Sequence, residues 1–360
     1  MIITNTELKE MIEIAMLEKD DIEITLNIRE SGILWRLNED VIYRTQGEHD
    51  FDIGEYKINS KQLTKIIKSL PKGISELTIK DKTLIISDDT GDLKAKLTDG
   101  EKIEVPNITE RLIRLNAGEF IEILKEAKEF MSKDKSRQVF ESVFLDYKKI
   151  HNELKIVALD GYRMYVKTIK LKDEDQLDSD FNLIMKKEAV ERIKKNKNSN
   201  VIEIQKGTNK KGFEENYIRL ENAMIENGFL THKEYIAYES IINTDFTYKT
   251  EYGEKTIKDI IKYLEKCKKF GDKSTLVESE IVNNKHILTC NVEGTEITKE
   301  FNANVKDRFK IAYNSQYMLD ALNIFKEERN TEIWMKNEVS GIFFKTEDKL
   351  VLVLPIKLKK

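Results

Sequence analysis

The residue types that most often carry chemistry are few in this chain and poorly spaced for it. The four histidines, His49, His151, His232 and His286, stand far from one another and from the two cysteines, Cys267 and Cys290. No pair of them has the short spacing of a zinc site or of a His-based acid and base. A glycine-rich phosphate loop, a nucleophile elbow and a metalloprotease helix are all missing from the sequence. The acidic run Asp173-Glu174-Asp175, with Asp178 and Asp180, has the ligand type for a divalent cation, but reads more simply as a solvated loop between strands. Asp160-Gly161, taken alone, is a hairpin-turn signal. Two cysteines make no disulfide framework. Cys267 falls on an apolar helical position and Cys290 in a strand-like run, which predicts buried thiols in a reducing compartment. No catalytic residue, metal or cofactor is expected.

The ammonium group is the abundant one. The chain has 61 Lys plus Arg against 65 Asp plus Glu, a formal net charge of −4, with 40% apolar and 35% charged residues, which excludes a disordered chain and a membrane-embedded one. Its basic residues nonetheless collect along helix faces. Lys61, Lys65, Lys68 and Lys72 face away from an apolar stripe, and Lys258, Lys262 and Lys266 follow at steps of four, on one line of a helix. Lys125, Lys128, Lys133, Lys135 and Arg137 form a third group, and Lys187, Arg192, Lys194, Lys195 and Lys197 a fourth. On one helix such a stripe is ordinary solvation. Recurrence in four counts against that, and helices sharing one surface would form a lining that meets phosphates, reads no bases and weakens with salt. The set expected to face nucleic acid is Lys61, Lys65, Lys68, Lys125, Lys128, Arg192, Lys194, Lys258, Lys262 and Lys266.

The elements that position these residues repeat. Six stretches carry apolar residues at i, i+3, i+4 and i+7 behind a start signal, near Thr6, Ser60, Ala117, Lys186, Lys255 and Ser315, at intervals of 54, 57, 69, 69 and 60 residues. The clearest are 61–70, with Leu63, Ile66, Ile67 and Leu70 on one face, and 255–270, with Ile257, Ile260, Ile261 and Leu264. Between the helices, alternating segments such as 76–80 and 84–87, or 332–335 and 341–345, read as antiparallel hairpins with one solvated face. Three prolines and fifteen glycines leave little room for irregular chain. One helix with a few strands cannot cover itself, so the units pair into three α+β domains. Polar joints near Glu104-Val105-Pro106-Asn107 and Asn243-Thr244-Asp245 set the expected domains at 1–108, 109–245 and 246–360. The first residues lack a signal-peptide pattern and no window approaches ~18 apolar residues, so a soluble cytoplasmic protein is expected.

Three segments carry a resemblance. Leu154-Lys155-Ile156-Val157-Ala158-Leu159-Asp160-Gly161-Tyr162-Arg163-Met164 resembles the V-A-T-D-G-H-R-L signature of the bacterial DNA polymerase III beta sliding clamp. Tyr313-Asn314-Ser315-Gln316-Tyr317-Met318-Leu319-Asp320-Ala321-Leu322 is similar to the family's F-N-x-x-Y-L-L-D-A-L helix start, and Leu352-Val353-Leu354-Pro355-Ile356-Lys357-Leu358 to its closing V-V-M-P-M-R-L. The order and separation also fit. Leu159 and Tyr162 stand where the family has Thr and His, and Lys357 where it has Arg, which marks a divergent member.

The resemblance implies three similar DNA-clamp domains, a head-to-tail homodimer closed into a ring, helices lining a central hole, and no catalysis. It implies a processivity factor in DNA replication that encircles duplex DNA and tethers the replicative DNA polymerase and other replication and repair proteins, with a separate clamp loader opening the ring. Partners would dock a short linear peptide, with a Gln and apolar anchors, in a groove. Carried over position by position, that groove comprises Phe140, Leu159, Gly161, Tyr162, Arg163, Met164, Ile241, Asn314, Tyr317, Val339, Gly341, Leu354, Pro355, Ile356 and Leu358. Met318, Leu319 and Leu322 are read as core instead. Two other readings stay open: a scaffold of this architecture that no longer encircles DNA, and a hydrolase using the acidic loop or the Asp160 turn. For the ring, 92–97, with two lysines outward, and 296–301, with acidic positions, are the sheet edges expected to pair between chains.

Overall fold

The computed structural model describes residues 1–17, 21–172, 177–272, 275–303 and 309–356. Seven helices lie among them: α1 (Asn5–Ala15), α2 (Ser60–Ser69), α3 (Ala117–Lys128), α4 (Lys187–Lys195), α5 (Glu239–Ile242), α6 (Glu254–Phe270) and α7 (Ser315–Ile324). Six start within one residue of the positions that the apolar spacing predicts; α5 is one extra turn. Asparagine sets three of these starts. The Asn59 side-chain oxygen accepts from the backbone N–H of Lys61 (3.0 Å) and Gln62 (3.3 Å), and that of Asn314 accepts from Gln316 (2.9 Å) and Tyr317 (3.1 Å). Asn116 does the same for Glu119 at 3.0 Å. Such caps satisfy N–H groups that the first turn leaves open and are worth about 1 kcal/mol each. The apolar stripes point inward as the spacing requires: Leu63 and Ile67 of α2 and Ile257, Ile260, Ile261, Leu264 and Cys267 of α6 are buried. Each large aliphatic removed from water contributes about 1.5–3 kcal/mol.

The chain forms two compact units, one of Met1–Lys125 with Met185–Thr231, the other of Glu126–Ile184 with His232–Lys360. In the first, a four-stranded sheet runs in the order Ile2–Thr4, Ile74–Lys80, Thr83–Asp88, Gly91–Lys96. Its first hairpin turns through Asp81 and Lys82, both at positive φ (50° and 54°), the geometry whose twist matches paired strands. A nine-stranded sheet runs Asn107–Asn116, Val201–Thr208, Glu214–Arg219, Ala223–Ile225, Val41–Gln46, Gly32–Arg36, Glu23–Arg29, Gly54–Asn59, Thr98–Asp99. On one of its faces Leu34, Ile42, Ile103, Tyr217 and Met224 form a separate apolar cluster.

In the second unit, eight strands stand in the order Phe181–Met185, Val143–Lys148, Glu153–Leu159, Arg163–Lys170, Lys349–Val353, Ile342–Lys345, Asn330–Met335, Tyr248–Gly253. The pairing of Arg163–Lys170 with Lys349–Val353, Arg163 opposite Val353, brings the 160–163 turn beside the end of the chain. A four-stranded sheet runs Thr295–Asn302, Lys285–Val292, Leu276–Val282, Phe309–Asn314. In it, buried His286 meets the Tyr252 hydroxyl at Nδ1 and the Ser279 hydroxyl at Nε2, both at 2.7 Å. With two hydroxyls and no carboxylate beside it, burial pushes the imidazole down to about 4.

Both expected edge segments are strands and are outermost in their sheets: Gly91–Lys96 with Lys94 and Lys96 exposed, and Thr295–Asn302 with Glu296 and Glu300 exposed. Cys267 and Cys290 are buried free thiols. Among the described residues no helix is long and apolar enough to cross a membrane, and no three metal-ligating side chains come together. Asp173, Glu174 and Asp175 lie outside the described residues, as does Leu358.

Candidate functional site

In the second unit several of the residues expected to form a groove stand around one turn. Between Glu153–Leu159 and Arg163–Lys170 the chain reverses through Asp160 and Gly161, the glycine at φ +93°, where a side chain would be strained. Asp160 ties the turn to itself, its Oδ1 accepting from the backbone N–H of Tyr162 and Arg163, each at 2.8 Å. The guanidinium of Arg163 then returns to the Asp160 Oδ2 through Nε (3.0 Å) and Nη2 (2.7 Å), while Nη1 donates to Asp320 of α7. It also lies 4.5 Å from the Tyr317 ring centre and 5.3 Å from that of Phe130. Arg163 is only 8% exposed, so two carboxylates and two ring faces replace its water. Burial raises the Asp320 carboxyl above its ordinary value, with hydrogen bonds from Gln316 and Arg163 opposing that rise.

Above this buried node the surface is apolar. Tyr162, 60% exposed, stacks on Tyr317 at 5.8 Å, and Leu354 and Ile356 are exposed beside them. The terminal segment is pinned by two main-chain bonds: Leu354 N–H donates to the Tyr162 carbonyl (2.8 Å) and Ile356 N–H to the Ala312 carbonyl (2.7 Å). Between them Pro355 has no N–H to offer, as suits a strand leaving its sheet. Phe140 sits under Arg137 (5.6 Å), whose Nη1 reaches to 3.9 Å from where a Gly161 side chain would begin. Gly341 packs so closely that a Cβ there would stand 2.0 Å from Leu352 Cδ1.

Leu159, Met164 and Gly341 are buried and form the floor rather than an open wall. Ile241 on α5 and Val339 in the 337–340 turn, 64% exposed, stand on separate loops of the same unit. The Ser315 Oγ and Gln316 Oε1 are buried with no partner, which leaves hydrogen-bonding capacity beside the exposed rings. The set offers apolar anchoring with a few polar groups for orientation and no activated nucleophile. Sequence reasoning left Asp320, Arg137 and Phe130 out of the groove. For Asp320 the signal was present, an acid set among Met318, Leu319, Ala321 and Leu322 on a helix otherwise turned to the core.

The basic helix faces are less uniform than their spacing suggests. Lys61, Lys65 and Lys68 of α2 are exposed, Lys61 with Asp21 at 2.8 Å. Lys125 of α3 is exposed beside Glu122, and Lys128 is half-buried. Lys262 and Lys266 of α6 are exposed, whereas Lys258 is held by Glu254 (2.6 Å) and Glu327 (2.9 Å). On α4, Lys194 is half-buried at 3.7 Å from Glu191. Arg192 is a correction: it is 8% exposed and paired with Asp40 at 2.8 Å, so it is not free to face DNA. It falls on the buried side of α4 next to Ile193, and a carboxylate 152 residues away makes that burial tolerable.

No family model matches the chain, and no curated protein matches it in sequence. Solved structures do match its fold from end to end, among them members of one class, the polymerase sliding clamps. More particularly, they are DNA polymerase III beta subunits. A putative one from Eubacterium rectale superposes with a TM-score of 0.82 at 14% identity, and that from Thermotoga maritima with 0.81 at 17%. The Helicobacter pylori beta clamp bound to a DNA ligase peptide gives 0.77 at 16%; all three matches cover 99% of each chain. The fold of this chain is therefore the beta-clamp fold.

Proposed function

We propose that this chain is a DNA sliding clamp: a non-enzymatic homodimeric ring that encircles duplex DNA without sequence preference and confers processivity on a replicative polymerase. The observation that carries the reading is the end-to-end fold match, 99% of both chains, with the six-fold helix-plus-strand repeat beneath it. Three domains, 1–108, 109–245 and 246–360, each hold two of those repeats. The outermost strands Gly91–Lys96 and Thr295–Asn302 carry opposite charge excess, which suits head-to-tail pairing between two copies. Polymerase and loader dock by linear peptides on the rim of Tyr162, Tyr317, Leu354 and Ile356; the peptide-bound Helicobacter pylori relative supports a peptide role for this fold. Such a protein works in the cytoplasm, on DNA.

A second reading, a scaffold that no longer encircles DNA, is favoured by the burial of Arg192 and the double pairing of Lys258, which thin the basic lining. One experiment separates the two. Protein loaded on nicked circular DNA should survive moderate salt and fall off once the circle is linearised, because each phosphate contact is weak. Equal retention on linear and circular DNA would sink the encircling reading.

A further inference from the structure

Arginine is scarce here, eleven residues in 360, yet six of them stand on strands of the first unit's nine-stranded sheet: Arg29, Arg36, Arg44, Arg111, Arg114 and Arg219. Register places them on one face. Arg36 pairs across to Ile42, Ile42 to Met224, Met224 to Arg219, Arg219 to Glu203 and Glu203 to Arg114, and directly paired residues share a face. Three of the six are matched by carboxylates: Arg36 by Glu226 at 2.6 Å, and Arg111 and Arg114 by Glu203 at 3.5 and 4.0 Å.

The other three are not. Arg29, Arg44 and Arg219 make no ion pair among the described residues, and only Arg44 spends a side-chain hydrogen bond, on the Ser31 hydroxyl at 3.0 Å. All three line one cavity of about 160 Å³, with Ser31 and Asn222 at its edge and Leu34, Ile42 and Met224 beneath. Gly32 also lines it, opposite Arg29 at φ +138°, where a side chain would be strained and a Cβ would lie 2.0 Å from the Thr45 carbonyl oxygen. Burial lowers the Arg219 pKa and the charge of Arg44 lowers it further, with Glu203 opposing, which records two guanidinium groups held together against repulsion.

We infer that Arg29, Arg44 and Arg219 form a binding site for a small phosphate-bearing anion on this face of the sheet. Guanidinium forks match phosphoryl oxygens in pairs, and an anion would remove the repulsion that the free protein carries. Pockets for whole drug-sized ligands run to roughly 300–1,000 Å³, so this cavity takes a phosphate or diphosphate head and leaves the rest of any ester outside. The same oxygens occur on a DNA backbone, which the test distinguishes.

The experiment titrates the full chain with sodium pyrophosphate by calorimetry at constant ionic strength, with a nucleoside triphosphate and a short duplex as parallel arms. Saturable binding of one pyrophosphate per chain is expected, with Arg44→Gln and Arg219→Gln each weakening it at least tenfold. Arg44→Lys, which keeps the charge but loses the fork, should recover only part of it. Without pyrophosphate, Arg219→Gln should melt no lower than the parent, since it removes an unpaired charge; with pyrophosphate, the order should reverse. The exposed Arg29→Gln serves if a more buried variant fails to fold. Binding that chloride reproduces, or that survives the Arg44 and Arg29 substitutions, overturns the site. Duplex binding that Arg44→Gln and Arg219→Gln abolish, with no binding of pyrophosphate, overturns it as a small-anion site.

Discussion

Arg163 and Lys262 both carry a positive charge in the second unit, and the protein holds them in opposite ways. Arg163 is enclosed by Asp160, Asp320 and two aromatic rings, with Nε, Nη1 and Nη2 each donating to a carboxylate. Lys262 extends from α6 into water with its nearest carboxylate, Asp259, at 3.8 Å. The first charge fixes a shape: it locks the 160–163 turn to α7 and so sets where the rings of Tyr162 and Tyr317 present themselves. The second has no fixed geometry and acts through space, screened within about 8–10 Å at ordinary salt. A groove proposed to select a peptide needs the former, and a surface proposed to let a polyanion pass needs the latter.

Arg163→Ala leaves Asp160 and Asp320 facing each other without their cation, and unfolding in denaturant should show a loss of about 3–5 kcal/mol. Arg163→Lys should restore only part, lacking the fork. A loss no larger than that of a surface substitution would mean the node does not hold the turn.

His286 offers the next effect, in the same unit but with a neutral ring. Its folded value of about 4 lies below the ordinary 6.5, so between those limits the unfolded chain takes up a proton that the native one refuses. Stability should therefore fall as pH drops from about 6.5 to about 4, by about 3 kcal/mol in all, and level off below. His286→Gln should flatten that part of the pH profile; an unchanged slope would assign it to carboxylates.

On the groove rim, Tyr317→Ala, or removal of 354–360, should weaken a Gln-Leu-Phe-type peptide about tenfold to a hundredfold, the worth of one apolar anchor. Unchanged affinity would move the groove elsewhere. The smallest change in stability belongs to the lysines. Lys262→Glu with Lys266→Glu should shift unfolding by less than about 0.5 kcal/mol while reducing the salt dependence of DNA retention. A large loss of stability would show that these side chains are packed, not merely solvated.

The parts of this structure that local spacing governs were legible in the sequence. The helices at Ser60 and Ser315 announce themselves by a 3.6-residue apolar period, and Asn59 and Asn314 cap them without help from distant chain. The Asp81-Lys82 turn and the free edge at 295–302 follow from equally short-range patterns. What the chain does at long range was not legible. A helical wheel puts Arg192 among solvated lysines because Asp40, which buries it, is 152 residues away. The pairing of Arg163 with Val353 joins segments that share no pattern, and without it the closeness of Tyr162 to Leu354 cannot be read. The rim residues were named only through resemblance to a family; spacing alone gives them no distinction from core.

The two outermost strands have a further consequence. Gly91–Lys96 contains two lysines and one aspartate, Thr295–Asn302 two glutamates and one lysine, so each edge repels its own copy and attracts the other. In the proposed ring, association through them is directional: every chain has a head and a tail, and joining them never uses one up without offering the other. Such a contact has only two endings, closure or indefinite growth. Curvature decides which, and where it closes, both subunits turn the same side outward, so that whatever docks on the Tyr162 rim of one copy meets its counterpart on the same side of the assembly.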